Sequence, residues 1–299
     1  VSNAMMRRLS AYINHLFDVL ERNWESAVTR KWIVWLLLVC FFATLGIVEA
    51  KRLHLVPDAV VHAVPENHFY AVNVVFSVVL TVEVVSLVLS IAGSVANSLG
   101  KQFEILSLIL LRQSFKEFIY FNEPIQWSEV SQPVLHMMSD AAGGLALFFL
   151  VWLYYRAQTH RPITNDPDER YRFITAKKLL ALILLVVFLA MGCVYLWQLV
   201  VPPNAVSGAA SNNAAPQHGF FDAFYTVLIF SDIFLVLISL RYSSHYPIVF
   251  RNSGFALATV FIRLALTAPP FVNVGIALAA ALFAIGLSAA YRTFTAKAV

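Results

Sequence analysis

The sequence predicts an all-α polytopic integral membrane protein of eight transmembrane helices, built as two tandem four-helix-bundle repeats. Three observations carry that expectation. First, 60% of residues are hydrophobic and 13% charged, with a mean hydropathy of +0.73, whereas soluble domains carry about 25% charged residues. Second, the apolar residues gather into runs near the roughly 20 residues that cross ~30 Å of hydrocarbon. These runs are continuously apolar and do not alternate, which favours helices over barrel strands. Third, residues 31–156 and 177–292 repeat their polar features. Glu83 matches Asp232, Arg112 matches Arg263, and the interval from Pro133 to Tyr155-Arg156 equals that from Pro269 to Tyr291-Arg292. A repeat of this kind decides the fold class.

The elements follow in order. Residues 1–5, with Ser2-Asn3-Ala4 ahead of Met5, read as a cloning scar and start. Residues 6–30 place Leu9, Ile13, Leu16, Phe17, Leu20 and Trp24 at helical spacing among polar residues. That pattern predicts an amphipathic helix in the membrane interface, its apolar side in lipid, against the bundle or on a partner. No cleavable signal peptide is expected, because this first segment is polar and charged. The eight spans are expected at 32–50, 69–93, 102–121, 133–155, 179–200, 220–240, 252–267 and 271–291. The first repeat covers 31–156 and the second 177–292. Between them, 157–176 is rich in Pro, Asp and Arg and reads as a solvated linker; 293–299 is a tail. Loops 51–68 and 201–219 occupy equivalent places in the two repeats. Trp32, Trp127, Trp152 and Trp197 fall near span ends, where indole rings anchor at the interface. Small residues in span 8 and Asp140-Ala141-Ala142-Gly143-Gly144 in span 4 permit close helix contact.

Charge sets orientation. Sixteen Lys and Arg fall on the side of the N-terminus, the linker and the tail; only Lys51, Arg52 and Lys116 fall on the other. The positive-inside rule then puts both termini in the cytoplasm of a bacterial-type plasma membrane. Four spans per repeat bring both repeats in from the same side, related by an axis along the membrane normal. The formal charge of +4 does not suggest nucleic acid. Cys40 and Cys193 lie inside spans and read as buried apolar residues.

Four charges stand inside the spans. Arg112 is eleven residues from Lys101 and Glu83 ten from Gly93, which puts both about 15 Å from the inner end. Asp232 and Arg263 sit at comparable depths, measured from Arg241 and Arg251. A lone charge at a helix centre costs about 2.5–3.5 kcal/mol, so the expected pairs are Glu83–Arg112 and Asp232–Arg263. A pair of this type either locks register alone or carries charge. Secondary polar candidates are Glu104, next to Lys101, and His136 with Asp140, four apart on one helix face and expected to satisfy each other. No phosphate-binding glycine loop, nucleophile elbow, zinc spacing or haem-ligating histidine pair is present. No cofactor or metal is expected, and no enzymatic activity.

The stretch Phe76-Ser77-Val78-Val79-Leu80-Thr81-Val82-Glu83, with Lys101-Gln102-Phe103-Glu104-Ile105-Leu106 after a loop, resembles helices 2 and 3 of voltage-sensor domains of the ion-channel superfamily. The resemblance implies a four-helix unit in which Phe76, Glu83 and Glu104 form a site for passing positive charge. Spans 4 and 8 contain no Arg or Lys, so the gating-charge helix is missing, and no pore module follows. Two function classes remain open. One is a permeation or sensing module for ions or protons using the paired charges. The other is a non-transporting scaffold that binds lipid, a membrane-protein partner or a second copy of itself.

Overall fold

Two serines set where helices begin. The side chain of Ser26 accepts the Thr29 amide N–H and that of Ser94 accepts the Asn97 amide N–H, each satisfying a donor that the first helical turn leaves open. The computed structural model describes residues 2–54, 66–121, 123–158, 167–200, 216–242 and 246–297. These form nine α-helices: α1 (Ser2–Trp24), α2 (Ala27–Arg52), α3 (Tyr70–Ser90), α4 (Val95–Lys116), α5 (Trp127–Ala157), α6 (Pro167–Val200), α7 (Pro216–Tyr242), α8 (Tyr246–Thr267) and α9 (Val272–Lys297). A 3₁₀ turn, Glu117–Tyr120, extends α4. Among the described residues there is no strand.

Seven helices are long and apolar enough to cross a membrane: α2, α3, α5, α6, α7, α8 and α9. The chain is therefore a multi-pass membrane protein. Its outer surface agrees, because large apolar side chains such as Trp35, Phe42, Phe148, Val186, Phe230 and Leu282 are exposed on these helices, where lipid covers them. Helix α4 has 22 residues but carries Lys101, Glu104, Arg112 and Lys116. It packs against α3, α5 and α8.

Several boundaries differ from the sequence reading. The amphipathic segment does not run to residue 30. It ends at Trp24, and α2 starts at Ala27 because Ser26 caps it. Residues 2–5 do not stand apart; they continue α1. The linker 157–176 is only partly a linker. Residues 159–166 lie outside the described residues, but α6 starts at Pro167, an N-terminal position where proline forfeits no hydrogen bond. Most of the expected outer loops, 55–65 and 201–215, also lie outside the described residues.

The hydrophobic cores show how the helices sort. One core joins α4, α5, α8 and α9 through Phe103, Leu106, Leu147, Tyr154, Phe255, Ile262 and Ala281. The second joins α1, α3, α6 and α7 through Phe17, Val84, Val88, Ala181, Phe188 and Phe224. Both cores draw on both halves of the sequence. The expected pair of self-contained bundles, 31–156 and 177–292, is thus not how the cores divide: α5 packs on α9 and α4 on α8 across the halves. Gly143 and Gly144 explain part of this. A Cβ on Gly143 would stand 2.5 Å from the Val274 side chain of α9, and one on Gly144 would stand 3.0 Å from the Leu111 N and Ser107 O of α4. Small residues on α5 therefore let two helices approach at once.

Helix α1 lies against α6. Asn14 donates to Thr175 at 3.0 Å, Lys178 pairs with Asp18 at 2.5 Å, and Phe17 is fully buried. Trp24 donates to Ser86 of α3 at 2.9 Å. Met5, Leu9, Tyr12 and Leu16 remain exposed, so one apolar side docks on the bundle and another faces outward.

Candidate functional site

Glu83 and Arg112 come together. The Arg112 guanidinium donates from Nη1 to Glu83 Oε1, across the α3–α4 contact. Glu83 is buried, while the Arg112 side chain is 38% exposed, and that exposure is to a cavity. The cavity measures about 400 Å³ and is lined by residues of α3, α4, the 3₁₀ turn, α7 and α8, with Phe76, Glu83, Arg112, Lys116, Asp222 and Tyr225 among them. Phe76 stacks on Phe115, ring centroids 5.1 Å apart. Arg112 and Lys116 are four residues apart, so one face of α4 presents both cations.

Asp232 and Arg263 also meet, in a different way. Arg263 Nε lies 3.4 Å from Asp232 Oδ2, an ion pair without an aligned hydrogen bond. Arg263 Nη2 instead donates to Gln102 Oε1 of α4 at 2.9 Å, and Gln102 Nε2 donates to Ser98 Oγ at 3.2 Å. Arg263 is fully buried and Asp232 is 3% exposed. Asp232 Oδ2 and Arg263 Nε and Nη1 have no hydrogen-bond partner. Asp232 lines a second, smaller space of about 50 Å³ with Ser98, Gln102, Lys177, Asn252 and Thr259.

The two spaces lie at opposite ends of the same helices. On α4, Gln102 lines the small space and Ile109 the large one; on α7, Asp232 and Tyr225 do the same. Seven residues of helix in each case leave a partition about 10 Å thick. Tyr225 and Arg263 stand in it. The Tyr225 side chain is buried, its hydroxyl has no hydrogen-bond partner, and it lies within electrostatic reach of both Arg263 and Glu83.

The secondary candidates are placed separately. Glu104 pairs with Lys101 at 3.0 Å and accepts the Tyr155 hydroxyl at 2.7 Å; it does not line the cavity that holds Phe76 and Glu83. His136 and Asp140 do not satisfy each other as expected. His136 Nδ1 is 3.3 Å from Glu117, and Asp140 accepts the Asn273 side-chain amide at 2.8 Å. Asn273 of α9 and Glu117 of the 3₁₀ turn supply these partners instead. No group of three or more metal-ligating side chains occurs among the described residues.

Four residues of the site were not singled out from the sequence. Lys177 reads as a basic flank, yet it is 3% exposed. Lys116 reads as an outer-end cation but lines the cavity. Gln102 and Tyr225 carry no charge to mark them. A matching helix depth could have flagged Gln102; nothing in the sequence distinguishes Tyr225 from other span tyrosines. No family model, curated protein or solved structure matches the chain.

Proposed function

We propose that the protein is a membrane-embedded permeation module in which ions or protons move along the paired charges, from the large cavity toward the small space. The observation that carries this reading is the column of polar groups: Glu83 and Arg112 on the cavity floor, Tyr225 and Arg263 in the partition, Asp232 and Gln102 on the small space. Ionisable side chains within the membrane mark pathways more often than they occur by accident, given their cost.

The same reading has eight spans, with α4 crossing as well. Its 22 residues reach about 33 Å, and Ser98, Gln102, Ser107 and Ser114 on it are buried against other helices. Eight crossings place both termini in the cytoplasm of a bacterial-type plasma membrane and put the large cavity on the outside. The duplicated reading is supported by packing order: consecutive helices pack on one another in both α2–α3–α4–α5 and α6–α7–α8–α9. In a voltage-sensor-like version of the module, Phe76 and Glu83 serve the outer part of the pathway and Glu104 stands apart at the inner end. The scaffold reading draws on α2, which keeps only 6% of its apolar stretch buried and offers a face for a membrane-protein partner or a second copy.

Reconstitution into proteoliposomes loaded with a pH-sensitive dye, with and without a potassium-diffusion potential, tests permeation. Flux above that of protein-free liposomes, cut at least tenfold in the Glu83→Gln/Arg112→Gln double variant, is the expected result. Flux equal to empty liposomes for every ion tried would end this reading and leave the scaffold.

A further inference from the structure

We infer that the small space beneath Asp232 is a hydrated proton-exchange chamber, with Lys177 as the group that takes the proton onward to the cytoplasm. The inference rests on the permeation reading and narrows the permeating species to the proton.

The chamber contains groups that a dry pocket could not hold. Asn252 is 3% exposed and lines it, yet among the described residues neither its amide nitrogen nor its oxygen has a hydrogen-bond partner, and Asp232 Oδ2 faces only the Arg263 guanidinium, without a hydrogen bond, at 3.4 Å. A buried polar atom left without a partner keeps the full cost of its lost hydration. The space of about 50 Å³ has room for roughly three to five waters at ~10–15 Å³ of such volume each. Those waters satisfy the orphaned atoms and connect Asp232 to Lys177.

Charge in the chamber selects the permeant. Lys177 and Arg263 are both buried, with Asp232 the single acid on the wall. With Asp232 protonated and Lys177 neutral before transfer, the fixed Arg263 guanidinium beside the wall repels a sodium or potassium ion, and a space of a few waters is too small for a hydrated anion. A proton needs no such room. Among the described residues Lys177 pairs with no acid: its Nζ donates to the Gly93 carbonyl and lies 5.6 Å from the centre of the Phe173 ring. An ammonium has three donors, so at least two point away from that carbonyl. Arg263 cannot give up its proton, whereas an amine can. In the transfer step, the Asp232 O–H bond breaks and a proton passes through the waters. A new N–H bond forms on the neutral Lys177 amine, leaving a carboxylate and an ammonium. Release from Nζ to cytoplasmic water restores the amine.

The test is proton flux in dye-loaded proteoliposomes, with potassium and sodium flux measured beside it, on the wild type and on the Lys177→Met, Lys177→Arg and Asn252→Leu proteins. Monodispersity in detergent confirms folding, and Lys177→Arg keeps the buried charge while removing the exchangeable amine. The expected results are proton-selective wild-type flux, a tenfold or greater loss in Lys177→Met and Lys177→Arg, and a smaller loss in Asn252→Leu, whose apolar side chain displaces water. Wild-type flux carried by potassium or sodium overturns the inference while the permeation reading survives. So does proton flux in Lys177→Arg equal to wild type when Glu83→Gln/Arg112→Gln blocks it. Absence of any wild-type flux removes both.

Discussion

At the scale of single residues, the two charge pairs differ in how much they hold. Arg263 is fully buried and opposes a buried Asp232, so removing it leaves a carboxylate in a medium that cannot solvate it. Arg263→Ala is expected to lower stability by about 3–5 kcal/mol, the usual cost of breaking a buried pair from one side. Asp232→Asn with Arg263→Gln should recover most of that loss. Arg112 is 38% exposed to the cavity, so Arg112→Ala should cost distinctly less. Denaturant melts in detergent that rank Arg112→Ala as equal to or worse than Arg263→Ala would contradict this order. A third cluster, at the C-terminal end of α2, responds to pH. His68 bridges Glu123 and Glu49 at 3.1 Å each, and Arg52 joins Glu123 at 2.7 Å. The hydrogen bond to Glu123, then that to Glu49, raises the His68 pKa above its usual 6.5, and the His68 hydrogen bond lowers that of Glu123 below 4.5. The histidine's contribution is fully present below 6.5 and is lost as pH rises through its raised folded value. The contribution of Glu123 is present above 4.5 and is lost as pH falls through its lowered value. The lock is therefore strongest between ordinary carboxylate and imidazole titration. His68→Gln should flatten the fall in melting temperature above pH ~6.5; an unchanged pH profile would show that this cluster contributes nothing.

At the scale of elements, α5 holds α4 and α9 together. It contacts α4 through Gly144 and α9 through Gly143. Gly144→Val would drive two methyl groups at the α4 backbone, which cannot rotate aside as a side chain can. The expected cost is about 1–3 kcal/mol, seen as a lower melting temperature, with Gly192→Val as a control because nothing lies within 4 Å of that position. Equal effects at the two positions would mean that α4 and α5 are not in close contact. The small residues, the seven lipid-length helices and the amphipathic α1 were legible in the sequence because each follows a helical period or a lipid-length apolar run. The docking of α1 was legible in part. Its spacing marks an apolar side, but not that Phe17 and Asn14 would meet α6 while Leu9 and Tyr12 face outward. Boundaries such as Trp24 and Ala27 depend on one capping serine, a weaker signal than twenty apolar residues.

At the scale of the whole molecule, the acid–arginine pairing followed from depth and the cost of lone charges, whereas the distribution of the cores did not. Nothing in 31–156 tells that α5 would pack on α9 or that Gln102 would serve Arg263, because contacts between halves leave no periodicity within either. Buried Lys177 escaped for the related reason that flanking lysines at a span end normally face water. What remains to be decided by experiment at this scale is whether α4 crosses, and parity makes the answer sharp. With a cytoplasmic N-terminus and eight crossings, exposed Ser128 at the start of α5 lies outside and exposed Thr293 near the end of α9 lies inside. With only the seven most apolar helices crossing, every helix after α4 inverts, so Ser128 moves inside and Thr293 outside. Single cysteines at Ser128 and Thr293, in a background with Cys40 and Cys193 changed to alanine, report the difference through a membrane-impermeant maleimide on intact cells. Labelling of Ser128→Cys without permeabilisation, and of Thr293→Cys only after it, is expected from the basic-residue asymmetry and from the burial of α4's polar face. The reverse pattern, with the N-terminus still cytoplasmic, would take α4 out of the membrane and away from the outer end of α3, whose Asn73 and Phe76 line the large cavity beside Arg112 and Lys116.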